Sequence, residues 1–136
     1  NMISAITNRG HLAFMVFHGK FDGRLFIRFM QRLLKQAPGK LYLIVDGHPV
    51  HRSVVAIKFV SANAERLRLI RLPGYCPELN PDELLNQDVK TNGLGKSRPT
   101  DRVEMMAGAR THLRRRQRQP QVIRNLFKEK HVRYAA

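Results

Sequence analysis

The sequence predicts an α/β protein in which a mixed sheet is flanked by helices. Two apolar-rich segments at the amino end are separated by a short turn, as in a hairpin of two strands. Residues 41–45 form a continuous apolar run, which is typical of a buried strand, and helical periodicity occurs on both sides of it. The length of 136 residues fits one domain with its own core. We therefore predict a single domain over residues 1–136.

The first elements are two strands and a helix. Residues 2–7 and 11–18 predict the strands, and Gly10 between them supplies the positive φ that a tight turn needs. From Asp22 onward apolar side chains recur at helical spacing until Pro38-Gly39 ends the pattern. Asp22 directly precedes this helix, where an N-cap role is sufficient to explain it.

The middle of the chain predicts two more strands around a helix. The apolar run 41–45 predicts a central strand that is covered on both faces. Residues 53–64 predict a helix. Residues 67–72 alternate leucine and isoleucine with arginine, which predicts a strand with a basic outer face.

The last half of the chain predicts three helices. Asn80 suits an N-cap and Pro81 the first helical position, so a helix begins there. A break over residues 93–99 precedes helices over residues 100–116 and 121–128. These two helices form the basic helical part of the same domain, residues 100–130.

The net charge of +15 points to a polyanionic partner. From Lys90 onward there are thirteen Lys and Arg and three acids, a net charge of +10. No apolar run approaches the roughly 18 residues of a membrane span, so we expect no membrane association. The single cysteine, Cys76, cannot form an internal disulfide, which fits a reducing compartment such as the cytoplasm.

Two acids are candidates for metal chemistry. Asp46 directly follows the apolar run, which places it at the carboxyl end of a strand, the edge where α/β sheets bind ligands. Glu83 is expected on the first turn of a helix and could meet Asp46 at that edge. Carboxylates suit Mg²⁺, a hard cation that prefers oxygen ligands.

Less specific interpretations of the acids stay open. Asp46 before Gly47 fits an ordinary turn. The spacing of Asn80 and Glu83 fits a capping box, in which the glutamate bonds back to the cap amide. Asp82 is the next candidate ligand if the helix begins one residue away. Asp88 lies off the helical face of Glu83, which predicts that it is solvated.

A family resemblance adds to this interpretation. Residues 43–52, LIVDGHPVHR, and residues 72–83, LPGYCPELNPDE, resemble the second and third acidic motifs of the mariner-like insertion-sequence transposases of the DDE superfamily. Thirty-six residues separate Asp46 from Glu83, within the mid-thirties spacing of that family's last two acids. The resemblance continues through residues 84–90 to the closing residues 132–136.

The resemblance implies a ribonuclease H-like fold in which Asp46 is the second catalytic acid and Glu83 the third, both of them metal ligands. It implies two Mg²⁺ or Mn²⁺ ions, cleavage of double-stranded DNA at transposon ends, and strand transfer into target DNA. It also implies a bacterial protein of the cytoplasm and nucleoid, and it leads us to expect a homodimer.

The chain departs from the family pattern in two ways. The first catalytic Asp belongs on a strand upstream of residues 2–7, so we expect an N-terminally truncated fragment that is inactive or nearly so. The helix-turn-helix modules that read transposon ends are also missing. The second departure is Gly47, where relatives often have Asn, and we expect it to alter the loop beside the metal.

Several residues are candidates for DNA contact. Arg110, Arg114 and Arg118 recur at a spacing of four and predict one basic stripe, although a solvated face is the usual explanation for such charges. The two histidines near Asp46 are a weak zinc signal and are expected to orient the loop or touch phosphate. Tyr75 could stack on a base or pack in its loop. The full set is His48, His51, Arg52, Tyr75, Lys90, Arg110, Arg114, Arg115 and Arg118.

These observations predict the catalytic core of a DNA transposase. The alternative from a different class is an inactive remnant that binds DNA through its basic helices while its acids have lost their role. A third possibility is another ribonuclease H-like nuclease, which the proline-rich motif disfavours.

Overall fold

The computed structural model describes residues 1–73, 76–95 and 98–136, and it confirms the predicted α/β class. The chain divides into two compact units. The terminal unit consists of residues 1–18 and 78–136, and the inner unit consists of residues 19–77. That all 136 residues form one domain stays a prediction.

The terminal unit begins with the predicted hairpin. Strand β1, Met2–Ile6, pairs antiparallel with strand β2, Leu12–Val16. Gly10 has a φ of +94°, which confirms that the turn needs glycine. A Cβ atom at Gly10 would lie 2.6 Å from the carbonyl oxygen of Pro120, so the backbone passes too close there for any other residue.

The inner unit contains two helices and a pair of parallel strands. Helix α1, Gly23–Gln36, begins at the predicted N-cap Asp22, whose Oδ1 accepts a hydrogen bond from the Leu25 amide at 2.9 Å. The remaining elements in chain order are strand β3, Leu41–Val45, helix α2, Val54–Ala62, and strand β4, Leu67–Arg71. Strands β3 and β4 are parallel and in register from Leu41 opposite Leu67 to Val45 opposite Arg71.

The exposure of strand β3 differs from the prediction. Val45 is buried, but the side chains of Tyr42 and Ile44 are 58% and 37% exposed. Among the described residues β3 has one hydrogen-bonded neighbour, β4, so it is neither central nor covered on both faces. An unbroken apolar run indicates a strand but does not reveal how many of its faces are packed. On β4, Arg68 and Arg71 are exposed as predicted.

The rest of the terminal unit is helical. Helix α3, Pro81–Asp88, continues without interruption into a π-helical segment, Val89–Leu94, so the predicted break at residue 93 lies too early. Helix α4, Arg102–Gln117, and helix α5, Pro120–Leu126, follow, and a 3₁₀ turn spans Arg133–Ala135. The helix extends through Leu94 because its backbone amides keep hydrogen-bond partners within the helix as far as Gly95. The Gly95 amide donates to the carbonyl oxygen of Lys90.

The terminal unit packs its helices against the hairpin around a cluster of buried side chains. Apolar residues from β2, from α3 and its π-helical extension, and from α4 and α5 meet in this cluster. Its buried members are Leu12, Leu85, Val89, Ala109, Leu113 and Ile123. The cluster fixes α3 against the hairpin, and with it the position of Glu83 within the unit.

The inner unit buries the apolar face of α1. Phe26, Phe29, Met30 and Leu33 are each 7% exposed or less, and they match the face that the sequence predicts. Arg66 donates hydrogen bonds to the carbonyl groups of Leu34, Ala37 and Gly39, which satisfies the open end of α1. None of the helices in the described ranges is long and apolar enough to cross a membrane.

Candidate metal and nucleic-acid site

Asp46 follows β3 directly, at the start of a tight loop in the inner unit. Its Oδ1 accepts a hydrogen bond from the His48 amide at 2.9 Å, a local turn that aspartate favours. The same oxygen lies 3.1 Å from Nδ1 of His51. Within the described part of the chain, Oδ2 has no hydrogen-bond partner, and the side chain is 44% exposed. One oxygen is therefore held by the protein while the other faces outward.

His51 is buried beneath this carboxylate. It is 8% exposed, and its ring packs against Phe26 at 4.7 Å and against Phe21 at 6.0 Å between centroids. Burial lowers the pKa of His51 below its ordinary value of 6.5, and the hydrogen bond and charge of Asp46 offset this only in part. Burial of the ring disfavours direct phosphate contact, which is one of the two roles that the sequence suggests for His51.

His48 and Arg52 lie on the outside of the same loop. His48 caps the 3₁₀ turn Pro49–Arg52, because its Nδ1 accepts a hydrogen bond from the Val50 amide at 3.1 Å. Its ring, which touches Phe21 at 5.4 Å between centroids, is exposed, and so is Arg52. Both side chains are accessible to an anionic partner.

Glu83 lies on the first turn of α3, as predicted. Asn80 is the N-cap, and its side chain accepts from the amide of Asp82 at 3.1 Å. Across the described residues no group is hydrogen-bonded to the Glu83 carboxylate, so the capping box that the sequence allowed is not formed. Helix α3 is capped without help from Glu83, which leaves this half-buried carboxylate available for another role.

The neighbouring Asp82 is engaged. Ser4 on β1 donates a bifurcated hydrogen bond to both carboxylate oxygens of Asp82, at 2.8 and 2.9 Å. This contact ties α3 to the hairpin. Asp82 is therefore a weaker candidate for a ligand than Glu83, because an incoming cation would compete with the serine hydroxyl for its oxygens.

The two candidate acids belong to different units, Asp46 to the inner unit and Glu83 to the terminal unit. In the described ranges, no group of three or more His, Cys, Asp or Glu side chains is arranged to hold a metal ion. Each unit therefore contains one of the two candidate carboxylates.

The predicted basic residues of the terminal unit are exposed. Arg110 and Arg114 lie on α4, and Arg118 is the residue that ends this helix. The Arg110 guanidinium donates to the carbonyl of Val16 at 3.4 Å, whereas the others extend into solvent. The exposed set is Lys90, Arg110, Arg114, Arg115 and Arg118. Tyr75, the aromatic candidate, lies outside the described residues.

Asp88 is not solvated, contrary to the sequence prediction. Its side chain is 15% exposed and accepts hydrogen bonds from Arg116 at 2.7 and 2.9 Å, from His112 at 2.7 Å and from Asn92 at 2.9 Å. The sequence did contain a signal for this cluster, because His112 and Arg116 are four residues apart on one face of α4. The partner of that pair could not be read from spacing alone.

Comparison with known proteins identifies the class of protein to which the chain belongs. Residues 1–106 match the family model of the DDE superfamily endonucleases. The match covers well over half of the 136 residues, so the chain belongs to the DDE superfamily of endonucleases. Endonucleases of this superfamily generally use divalent metal ions, and membership implies DNA as the substrate in general. No curated protein was found to match the chain.

Proposed function

We propose that this chain is the catalytic domain of a DNA transposase, which cleaves DNA strands and transfers them during transposition. One observation carries the proposal beyond family membership: Asp46 leaves strand β3 with Oδ1 anchored by the His48 amide and by His51, and with Oδ2 open. The resemblance of residues 43–52 and 72–83 to the mariner-like motifs supports the same branch of the superfamily.

Asp46 and Glu83 are the metal ligands in this proposal. Both offer carboxylate oxygens without competing partners in the described chain, and hard oxygen donors fit Mg²⁺ or Mn²⁺. When bound, a pair of such ions activates the attacking oxygen and stabilises the leaving oxygen in phosphodiester chemistry. The protein itself supplies two carboxylates that differ in how firmly they are held. Asp46 is held by two hydrogen bonds, whereas Glu83 is placed by the helix that carries it.

The basic residues hold double-stranded DNA in this proposal. The exposed arginines of α4 have few acids to pair with, since Arg116 takes the charge of Asp88 and Glu104 binds Thr100. When exposed guanidinium groups contact phosphates, the counter-ions condensed on the DNA are released, which favours binding. His48 and Arg52 provide a second set of donors beside Asp46. Transposon ends and target DNA are the expected substrates, and a homodimer stays a prediction.

The alternative is a remnant that binds DNA without catalysis, which the exposed arginines alone would support. The two proposals differ in whether the two acids are needed. A catalytic domain requires Asp46 and Glu83 for metal binding, whereas a remnant needs neither of them for DNA binding.

The proposal is tested by measuring Mn²⁺ binding to the 136-residue chain. The electron paramagnetic resonance signal of free Mn²⁺ reports the unbound fraction. We expect Asp46→Asn and Glu83→Gln each to weaken binding at least fivefold. Glu65→Gln serves as the matched control, because Glu65 is an exposed acid of the inner unit outside the motifs. Cleavage of plasmid DNA is measured in parallel. We expect little cleavage, because the 136 residues include two of the three catalytic acids that the resemblance implies.

The outcomes separate the two proposals. Loss of Mn²⁺ binding in the Asp46 and Glu83 variants, with DNA binding retained, supports the catalytic domain. Mn²⁺ binding that is equal in all four proteins, or absent in all, contradicts the metal role and favours the remnant.

A further inference from the structure

We infer that His51 is a positioning residue that holds the Asp46 carboxylate in one orientation, with Oδ2 directed outward. This inference rests on the proposed function, because it assigns the purpose of that orientation to metal binding. Of the two roles that the sequence suggests for His51, loop orientation and phosphate contact, the inference develops the first. Three features of the inner unit support the inference: the hydrogen bonds of Nδ1, the packing of the ring and the different roles of the two histidines.

The first feature is the geometry of Nδ1. This atom lies 3.1 Å from Asp46 Oδ1 and 3.2 Å from the carbonyl oxygen of Asp46. Both neighbours are acceptors, so Nδ1 carries the proton and donates to them. A single imidazole N–H thereby spans the backbone and the side chain of one residue, which restrains the χ1 angle of Asp46.

The second feature is how the ring itself is held. Phe26 packs on it at 4.7 Å, and Phe21 contacts it edge-on at 6.0 Å between centroids. Phe26 is 1% exposed and belongs to the buried face of α1. The His51 ring is therefore held by the core of the inner unit. A ring held in this way can keep the metal ligand Asp46 in one position.

The third feature is the contrast with His48. Its amide holds Oδ1 of Asp46, while its own ring is exposed and accepts from the Val50 amide. The loop thus uses a backbone donor and a buried side-chain donor on the same carboxylate oxygen. Two donors at Oδ1 leave Oδ2 as the oxygen with its lone pairs free to bind a cation.

The test compares three substitutions at His51 in the full chain. His51→Asn keeps a donor near the position of Nδ1, His51→Gln moves the donor to the position of Nε2, and His51→Phe keeps an aromatic ring without a donor. The rotamer of Asp46 is measured without metal, from the three-bond couplings of its Cγ to the backbone nitrogen and carbonyl carbon. Thermal melting shows whether each variant is folded.

We expect a single Asp46 rotamer in the wild type and in His51→Asn, and averaged couplings in His51→Phe and His51→Gln. Mn²⁺ affinity should fall about tenfold in His51→Phe and stay within about threefold of wild type in His51→Asn, since outer partners of metal ligands have effects of this size. If His51→Phe does not fold, the contrast between His51→Asn and His51→Gln decides the question.

A single rotamer and unchanged Mn²⁺ affinity in folded His51→Phe would overturn the inference, since His51 would then only fill space. Averaged couplings in folded His51→Asn would also overturn it, because the donor would not be the cause. If the wild type binds no Mn²⁺, the proposed metal role fails. The metal-free couplings then still decide whether His51 positions Asp46.

Discussion

Arg116 and Asp88 form a two-point contact in the terminal unit, in which Nε and Nη2 of the arginine donate to the two carboxylate oxygens at 2.7 and 2.9 Å. The side chains are 17% and 15% exposed, so water screens the pair only weakly. His112 Nε2 donates to the same carboxylate at 2.7 Å. The contact joins the end of α3 to the last turn of α4, the helix that carries the predicted DNA-binding arginines.

Asp88→Asn should destabilise the chain by about 3 kcal/mol, because it leaves the guanidinium of Arg116 partly buried without its counter-charge. The measurement is the free energy of unfolding in urea at pH 7. Glu78→Gln is the control, an exposed acid of the same unit, and should change stability by less than about 0.5 kcal/mol. Equal stabilities for Asp88→Asn and the control would mean that the pair contributes little.

The contribution of Asp88 should depend on pH. Burial alone would raise its pKa, but hydrogen bonds from Arg116, Asn92 and His112 outweigh burial and hold the pKa far below its ordinary value of 3.8. A depressed folded-state pKa gives stability that is fully present above the unfolded-state pKa and is lost as the pH falls toward the folded-state value. The stability difference between wild type and Asp88→Asn should therefore be constant from pH 7 to pH 5 and shrink below about pH 4. Urea unfolding at pH 7, 5, 4 and 3 measures it, and a difference that is undiminished at pH 3 would contradict the assignment.

Gly10→Ala should destabilise the terminal unit more than a positive φ alone explains. Gly19 provides the matched control, because it has a φ of +83° and an added Cβ there would meet no atom within 4 Å. We expect Gly19→Ala to cost about 1 kcal/mol from backbone strain. Gly10→Ala should cost a further 1–3 kcal/mol or so, since its Cβ would overlap Pro120. Thermal unfolding of both variants gives the comparison, and equal losses would show that α5 moves aside freely.

The double variant Arg114→Ala and Arg118→Ala should weaken binding to double-stranded DNA regardless of sequence. Each lost phosphate contact lowers the slope of log affinity against log salt concentration by about 1, so we expect a change of about 2. Fluorescence anisotropy with a labelled duplex over a range of salt concentrations measures the slope. Arg28→Ala with Arg32→Ala removes the same charge from exposed positions of α1 and is the control. Equal slopes for both double variants would indicate an effect of net charge instead of a stripe.

Much of the local structure was predictable because it depends on residues that are close together in the sequence. The hairpin around Gly10 and the helix that begins at Asp22 were both predicted, and both are present. The strand before Asp46 was also predicted, because five consecutive apolar residues that end at an acid are a local pattern. Turn chemistry, capping and periodicity act over a few residues, so one sequence is enough to reveal them.

The tertiary structure decided which charged and polar groups find partners. Asp88 was predicted to be solvated, but it binds Arg116, which lies 28 residues further along the chain. His51 was expected to orient its loop or to touch phosphate, and the tertiary structure buries its ring against Phe26. Tyr42 was expected to be covered, yet it is exposed. Burial and pairing depend on which helix faces pack together, and that packing brings together residues that no local spacing connects.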